Sequence, residues 1–251
     1  MLFIRSLLFS CLQLITTVIF SALGILLLPF SFSLRYKVIS KWAQLNLWLL
    51  KVICGINHKV EGLENIPDEP CIIMCKHQSA WETLALQAVF PQQVWVLKRE
   101  LLWIPFFGWG LAALNPIAID RSAGRKALSQ IIEQGIQRLA RGSFIVIFPE
   151  GTRVAPGQMG RFGIGGAKLA VDANTNVIPV AHDAGKAWKK NSFIKVPAEI
   201  KMIIGEKIKV QDRTASDVNT QVYEWMETQM TQLEGRKPTR TKVTENNNDK
   251  K

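Results

Sequence analysis

The fold is decided by residues 125–153, RKALSQIIEQGIQRLARGSFIVIFPEGTR, where a helical pattern leads into a buried strand and then into a turn. Apolar residues recur with a helical period from Arg125 to Leu139, whereas Phe144–Phe148 is a short, uninterrupted apolar run. Pro149 follows this run, and proline favours a turn. A helix followed this closely by a buried strand is typical of an α/β domain.

The same alternation of strands and helices extends to both sides of this stretch. Short apolar runs predict further strands at Ile72–Cys75, Val94–Leu97, Pro116–Ile119, Val177–Val180 and Ile200–Ile204. Helical patterns lie between or after them, at Trp81–Val89, Gly166–Asp172 and Ala215–Leu233. The sequence therefore predicts an α/β fold with a mostly parallel central sheet flanked by helices.

A long apolar segment precedes this domain. The chain from Ser6 to Leu34 contains no charged residue, and a helix of that length, rising about 1.5 Å per residue, exceeds the roughly 30 Å of hydrocarbon in a bilayer. A signal peptide is the alternative, but the segment is too long and no small-x-small cleavage site closes it before Arg35. We therefore predict an N-terminal hydrophobic helical membrane anchor.

A second helix is predicted at about Tyr36–Cys54. Its tryptophans lie beside lysines, which is typical of a helix at the membrane interface; the alternative is an amphipathic helix packed on the domain. The sequence leaves open whether the first helix spans the bilayer or both helices form a hairpin in one leaflet. Basic residues after the first helix predict that the following chain faces the cytoplasm; they are Arg35, Lys37, Lys41 and Lys51.

The net charge of +11 predicts attraction to an anionic partner such as nucleic acid, an acidic ligand or an anionic lipid surface. Residues 236–251 hold six Lys or Arg against two acids, which predicts a basic, disordered tail. The expected organisation is a membrane-associated helical hairpin or anchor at 1–54, the α/β domain at 55–234 and the tail at 235–251.

The four cysteines show no spacing that suggests a disulfide framework, so we expect reduced thiols. In an extended strand Cys71, Cys75 and His77 would share one face, which raises the alternative of a metal site. A fourth ligand is missing and strand cysteines commonly pack in the core, so we expect no metal and no cofactor.

Polar side chains follow several predicted strands at the point where each strand ends. In sheets of this kind, ligands bind beyond the carboxyl ends of the strands. A histidine, carboxylates and several cations would therefore meet at one rim, contributed by Lys76-His77, Lys98-Arg99-Glu100, Asp120-Arg121 and Pro149–Arg153.

His77 is the candidate general base. Glu82 follows it by five residues, early in the predicted helix, and a carboxylate on one ring nitrogen would leave the other nitrogen free to take a proton. A lone histidine is more often structural than catalytic. Ser79, in the same loop, is also explained structurally, as the N-cap of the helix that begins there. Because the chain has no G-x-S-x-G elbow, we expect His77 to activate a substrate hydroxyl directly.

Arg153 is a candidate phosphate ligand, because its planar fork follows a rigid Pro-Glu-Gly turn. Lys98 and Arg121 follow two other strands and would add positive charge. Each cation alone can be interpreted as an ordinary solvated surface residue, but three cations at the ends of separate strands favour an anion site.

These motifs resemble those of the glycerolipid acyltransferases, specifically the bacterial 1-acylglycerol-3-phosphate acyltransferases. The resemblance covers roughly residues 55–205. It rests on four blocks in the family's order, at Lys76–Thr83, Ile119–Arg121, Phe148–Arg153 and Val177–Ala181. The sequence departs from the family at Glu82, where aspartate is usual, and at Arg161, where lysine is common.

The resemblance implies a role for each matching residue. His77 would remove the proton of the acceptor hydroxyl, and Glu82 would orient His77. The acceptor phosphate would be held by Lys98, Arg121 and Arg153. Residues of the third block would shape the acceptor site (Glu150, Gly151 and Thr152), and residues of the fourth would serve acyl-donor binding or local structure (Ile178 and Pro179). Apolar residues from Leu101 to Phe107 are candidates for an acyl groove or a plain core helix.

The implied reaction transfers a fatty acyl group from acyl-CoA or acyl carrier protein to the sn-2 hydroxyl of 1-acylglycerol 3-phosphate (lysophosphatidic acid), giving phosphatidic acid. Membrane lipids are expected partners, and the expected location is the cytoplasmic side of the inner membrane. The alternatives are another lysophospholipid, a lyso-aminolipid or glycerol 3-phosphate as acceptor, and a hydrolase that uses His77. A membrane-tethered nucleic-acid-binding protein is a further alternative, but no nucleic-acid motif is present, so no nucleic acid is expected.

Overall fold

The computed structural model describes residues 1–120 and 123–241. Its α-helices are α1 (Leu2–Leu26), α2 (Phe32–Cys54), α3 (Trp81–Val89), α4 (Phe107–Ala113), α5 (Arg125–Ala140), α6 (Gly165–Asp172) and α7 (Ala215–Glu234). Its strands are β1 (Ile56–Glu61), β2 (Ile72–Cys75), β3 (Gln93–Lys98), β4 (Ile117–Ile119), β5 (Phe144–Ile147), β6 (Gln158–Met159), β7 (Val177–His182), β8 (Ala198–Ile204) and β9 (Thr239–Arg240).

Within the described residues, seven strands form one sheet in the order β1-β8-β7-β2-β5-β3-β4. Neighbours pair in parallel except β7 and β8, which are antiparallel. The predicted mostly parallel α/β fold is therefore confirmed. Strand β1 was not predicted, because it lies at the edge of the sheet and exposes most of its side chains, so it lacks a continuous apolar run.

The central strands are buried on both faces, which explains their unbroken apolar sequence. Along β2 the side chains alternate: Ile73 and Cys75 pack with α2 and α3, whereas Ile72 and Met74 pack with α6 and α7. The sheet thus lies between two helical layers, with the carboxyl ends of β2, β3 and β5 opening at one rim.

Helices α1 and α2 form an antiparallel hairpin. The thiol of Cys54 near the end of α2 lies 3.8 Å from the carbonyl of Arg5, and the Asn46 amide donates to Thr16 Oγ1 over 3.3 Å. The predicted apolar segment is therefore interrupted at residues 27–31, where Ser31 caps the start of α2. Of the helices described, α1 is the one long and apolar enough to cross a membrane by length and composition.

Helix α1 also lies along the α/β domain. Near its start the Ser6 hydroxyl accepts from the Lys195 backbone N–H over 2.9 Å, and Ser10 Oγ accepts from Lys195 Nζ over 3.0 Å. Near its end Ser21 lies against Gly110 of α4, so closely that a side chain on Gly110 would meet it at 2.8 Å. Both ends of α1 are therefore tied to the domain.

The chain after α7 differs from the expected tail. Strand β9 pairs in parallel with β6, and Thr239 and Thr241 donate their backbone N–H groups to Gly157 and Met159 over 2.9 Å. Residues 235–241 therefore lie against the domain, because β6 offers them an open strand edge. The rest of the predicted tail, 242–251, is outside the described residues.

Candidate active site

His77 lies just beyond β2 at the rim of the sheet. The backbone N–H of Lys76 donates to the Val180 carbonyl over 2.9 Å, which continues the pairing with β7 up to this point. The His77 ring stacks on Phe148, which follows β5, with centroids 3.9 Å apart and planes 12° apart. The side chain is 14% exposed. Two neighbouring strands therefore fix the ring while one edge stays accessible.

Glu82 is the partner of His77. Its Oε1 lies 2.7 Å from His77 Nδ1 and also accepts the backbone N–H groups of Gln78 (3.0 Å) and Ser79 (2.8 Å). Burial raises the pKa of Glu82, but the His182 and His77 rings and the Ser79 N–H together lower it below its ordinary value. An ionised Glu82 requires a proton on His77 Nδ1, which leaves Nε2 as a proton acceptor.

Ser79 has a structural role in this loop. Its side chain is fully buried, and its hydroxyl accepts from the Trp81 backbone N–H over 3.2 Å at the start of α3. The short turn between β2 and α3 folds Glu82 back towards His77, as the five-residue spacing predicted.

Glu150 is buried beneath the site. Its carboxylate accepts from Lys76 Nζ over 2.7 and 2.9 Å, from the His77 backbone N–H over 3.0 Å and from the Gly160 N–H over 2.8 Å. The third block therefore holds the first block in place through Glu150. Gly151 adopts a left-handed φ of 67°, which glycine tolerates without strain and which turns the chain towards the exposed Thr152.

A largely apolar cavity of about 550 Å³ opens at His77. Its walls come from the hairpin, from α3 and α4 and from the ends of β3 and β5; they include Ser10, Gln13, Thr17, Trp42, Ala80, Leu84, Gln87, Trp95, Leu97, Leu101, Phe107, Leu111, Phe148, Arg153 and Trp188. Arg153, with no hydrogen bond or ion pair to residues 1–120 or 123–241, shares this cavity with His77. A histidine and an arginine thus line one largely apolar cavity.

The other predicted cations are placed differently. Lys98 is about half exposed and lies 3.6 Å from Glu100, outside the lining of the cavity at His77. Its neighbour Arg99 lies 3.5 Å from Asp120. Arg121 falls outside the described residues.

The two predicted residues of the fourth block lie inside the sheet. Ile178 and Pro179 are opposite Ile73 and Met74 in the pairing of β7 with β2, and the Pro179 carbonyl accepts from the Gly205 N–H over 2.9 Å. Neither residue lines the cavity, so their position favours the structural alternative over contact with the acyl donor.

The apolar segment 101–107 divides into two parts. Leu101 and Phe107 line the cavity, whereas Trp103, Ile104 and Phe106 are exposed at the surface, Trp103 to 67%. Sequence reasoning offered a groove or a core helix for this segment and did not anticipate an exposed apolar surface. An aromatic-rich stretch without helical period was the available signal.

Sequence reasoning also missed His182, at the end of β7. It is fully buried, and its Nε2 lies 2.8 Å from the Lys76 carbonyl and 3.8 Å from Glu82 Oε2. Its position directly after the fourth block, at the carboxyl end of a strand, was the available signal.

A family model described as acyltransferase matches residues 57–183, just over half of the 251 residues. The chain belongs to the acyltransferase family, which confirms the resemblance and the prediction of an enzyme of this class. The 1-acyl-sn-glycerol-3-phosphate acyltransferase of Pseudomonas aeruginosa is 43% identical over 235 residues, which are 92% of this chain and 91% of that protein.

More distant relatives extend the comparison. The 1-acyl-sn-glycerol-3-phosphate acyltransferase alpha of Mus musculus is 30% identical over 202 residues, 78% of this chain and 70% of that protein. The crystal structure of the 1-acyl-sn-glycerophosphate (LPA) acyltransferase PlsC from Thermotoga maritima aligns with a TM-score of 0.79 at 23% identity, covering 93% of this chain and 96% of that one. The latter shows the fold.

Proposed function

We propose that this enzyme transfers a fatty acyl group to the sn-2 hydroxyl of 1-acylglycerol 3-phosphate, giving phosphatidic acid. The observation that carries the proposal is one cavity that holds both a carboxylate-paired histidine, His77, and a half-buried arginine, Arg153. An acceptor with a hydroxyl, a phosphate and an acyl chain matches the histidine, the arginine and the apolar wall of the cavity, respectively. The proteins of P. aeruginosa and M. musculus named for this reaction support the choice of acceptor.

His77 acts as the general base. Its Nε2 takes the proton of the acceptor hydroxyl as the hydroxyl oxygen bonds to the thioester carbonyl carbon. The tetrahedral intermediate collapses, the carbon–sulfur bond breaks, and the leaving thiolate takes the proton back from His77. Glu82 stabilises the imidazolium that exists between the two proton transfers. The products are the ester and the free thiol, and His77 returns to its neutral state.

Arg153 binds the acceptor phosphate, because a guanidinium offers two parallel N–H donors to phosphate oxygens. Lys98 and Arg121 remain further candidates for this role. The apolar walls of the cavity take up an acyl chain, and the donor is a thioester of coenzyme A or of acyl carrier protein.

The hairpin of α1 and α2 lies in one leaflet of the membrane. Support comes from the contacts of both ends of α1 with the domain, because a helix held along the domain does not leave it to cross the bilayer. The exposed side chains on α1 are mostly apolar, among them Leu7, Leu14, Ile15 and Ile19. The basic residues after α1 favour the cytoplasmic side of the inner membrane, because basic segments beside a membrane are attracted to anionic headgroups.

The exposed aromatic residues before and within α4 extend this membrane contact. Helix α4 packs on α1, so Trp103, Phe106 and Trp109 lie beside the hairpin. Tryptophan is favoured at the depth of the lipid headgroups. The cavity, whose lining includes Leu101 and residues of α1, would then open at the bilayer, where amphiphilic substrates partition.

The test is acyl transfer in detergent micelles, with acyl-CoA and acyl carrier protein thioesters as alternative donors. The acceptors are 1-acylglycerol 3-phosphate and, as a neutral control, monoacylglycerol. We expect product with the phosphorylated acceptor alone, and none with His77→Ala. Equal activity of the variant would remove His77 as the base. Transfer to other lysolipids, or release of free fatty acid, would replace the proposed reaction.

A further inference from the structure

We propose that His182 is a positioning residue for the reaction, and that it acts through the second oxygen of Glu82. The inference rests on the proposed function, because it assigns His182 a part in preparing His77 as a base. The two oxygens of Glu82 have unequal surroundings. Oε1 receives three N–H donors, from His77, Gln78 and Ser79. Oε2 is buried and has no hydrogen-bond partner in the described part of the chain.

The group that faces Oε2 is the His182 ring. Its Nε2 lies 3.8 Å from that oxygen, beyond a normal hydrogen bond but close enough for the positive end of the N–H dipole to stabilise the negative charge in this buried site. Both side chains are fully buried. Since burial makes an unpartnered carboxylate oxygen costly, this dipole bears directly on the charge state of Glu82.

The neighbours of His182 fix its tautomer. The Ala184 backbone N–H points at Nδ1 over 3.2 Å, so Nδ1 must be the acceptor. The proton therefore sits on Nε2, which donates to the Lys76 carbonyl over 2.8 Å and faces Glu82. A proton on Nδ1 would face the Ala184 backbone N–H and be repelled by it, so this geometry keeps the ring neutral.

A neutral ring suits this position better than a cation would. An imidazolium at His182 would share the Glu82 charge with His77 and weaken His77 as a base. A neutral N–H dipole instead holds the carboxylate in its ionised form and in its orientation. The other titratable groups that face this cluster are Cys75, Lys76 and Glu150, and Lys76 and Glu150 pair with each other.

The first test compares His182→Phe, which keeps a ring but loses both nitrogens, with His182→Gln, whose amide nitrogen can replace Nε2–H. We expect His182→Phe to lower kcat about tenfold with little change in KM, the size expected for a lost buried polar partner. The acidic limb of its pH–rate profile should move to higher pH. Without the His182 dipole, the His77–Glu82 pair holds its proton more tightly, whether the proton is on Glu82 or on His77, so the free base forms only at higher pH. His182→Gln should restore much of both.

The second test separates positioning from loss of structure. In a Glu82→Gln background, which removes the carboxylate charge, adding His182→Phe should cost less than about twofold, because coupled residues are not additive. Equal losses in both backgrounds, or an unmoved acidic limb, would overturn the inference. If His182→Phe does not fold, His182→Gln and His182→Asn take its place. The acidic limb of the pH–rate profile of His182→Gln must match that of wild type. His182→Asn places its amide nitrogen near the position of Nδ1, so its acidic limb should be shifted.

A third readout does not depend on activity. The chain has three histidines, so ¹⁵N-labelled imidazoles can be assigned by substitution. His182 should show the Nε2–H tautomer and remain neutral at pH 6.5, where an ordinary imidazole is about half protonated. An Nδ1–H tautomer or an imidazolium would overturn the inference, whatever acceptor the enzyme uses. Failure of wild type to acylate any lysolipid would instead count against the proposed function.

Discussion

Lys76 and Glu150 form an ion pair in which neither side chain is exposed, with Nζ 2.7 Å from one carboxylate oxygen. Because Glu150 also accepts the backbone N–H groups of His77 and Gly160, the pair connects the loop of His77 with the turn that carries Arg153. Its function is to hold these two loops together, and the cost of breaking it is therefore large.

Replacing Lys76 with Met should lower the free energy of unfolding by about 3–5 kcal/mol, because it leaves a buried carboxylate without its cation. Glu150→Leu should be similarly damaging, since two backbone N–H groups lose their acceptor. Urea unfolding followed by tryptophan fluorescence measures both. Lys207→Met, at an exposed lysine, is the matched control and should change stability by less than about 0.5 kcal/mol. A Lys76→Met protein as stable as this control would contradict the role of the pair.

Changing Glu82 to Asp should lower kcat by about 100-fold, although the charge is kept. The shorter side chain withdraws the carboxylate from His77 Nδ1, now 2.7 Å away, and from the Gln78 and Ser79 N–H groups. Glu82→Gln should be at least as damaging, because the imidazolium then lacks its counter-charge. Steady-state kinetics with saturating donor checks both variants. Full activity of Glu82→Asp would mean that α3 shifts to accept the family's usual residue.

Arg153→Ala should raise KM for the phosphorylated acceptor by about 10- to 100-fold, the range expected for a lost charged hydrogen bond, with KM for the donor unchanged. Arg153→Lys should recover part of the loss, because it keeps the charge but not the fork. Arg141→Ala removes the same charge from an exposed site before β5, at the amino end of that strand and so at the end opposite His77, and should behave like wild type. A uniform loss of kcat with unchanged KM would exclude phosphate binding by Arg153.

The stability of the protein should fall as the pH decreases below about 6.5. Burial lowers the pKa of His182 from its ordinary 6.5, so the unfolded chain takes up a proton in this window while the folded protein does not. The contribution is complete above pH 6.5 and is lost with a slope of at most about 1.4 kcal/mol per pH unit. Glu82, whose pKa is lowered from 4.5, adds a second loss below pH 4.5.

Urea unfolding at half-unit steps from pH 8 to pH 4 measures this dependence. The His182→Gln protein has no imidazole at this position, so its curve should be flatter than that of wild type between pH 6.5 and 5. Identical slopes for the two proteins would show that His182 takes up a proton as readily in the folded state as in the unfolded chain.

The sequence predicted the parts of the fold that local patterns control. The buried strands β2 and β5 and the helix α3 have apolar runs or periods that one segment carries by itself, and α3 begins and ends at the predicted residues. The edge strand β1 and the short pair of β6 and β9 depend on a partner distant in the chain, and their polar residues give no local signal.

The candidate site divides in the same way. The contact of His77 with Glu82 follows from five residues of spacing across one turn, so the sequence predicted it. The burial of Glu150 and the approach of His182 to Glu82 depend on how β2, β5 and β7 are ordered in the sheet, which spacing does not reveal. Lys98 was predicted to follow a strand ending at Leu97, whereas it is the last residue of β3. The direction of its side chain was not predictable from its position in the chain.

Ser10, Gln13 and Thr17 of α1 form part of the same cavity wall as His77. A truncated protein that starts after the hairpin would therefore lose part of this cavity wall together with the apolar surface of α1. Under the proposed function, substitutions in α1 would change which acyl chains fit, although the α/β domain stays the same. The same few residues of α1 would therefore change both when this helix adapts to a different lipid environment and when the enzyme adapts to different substrates.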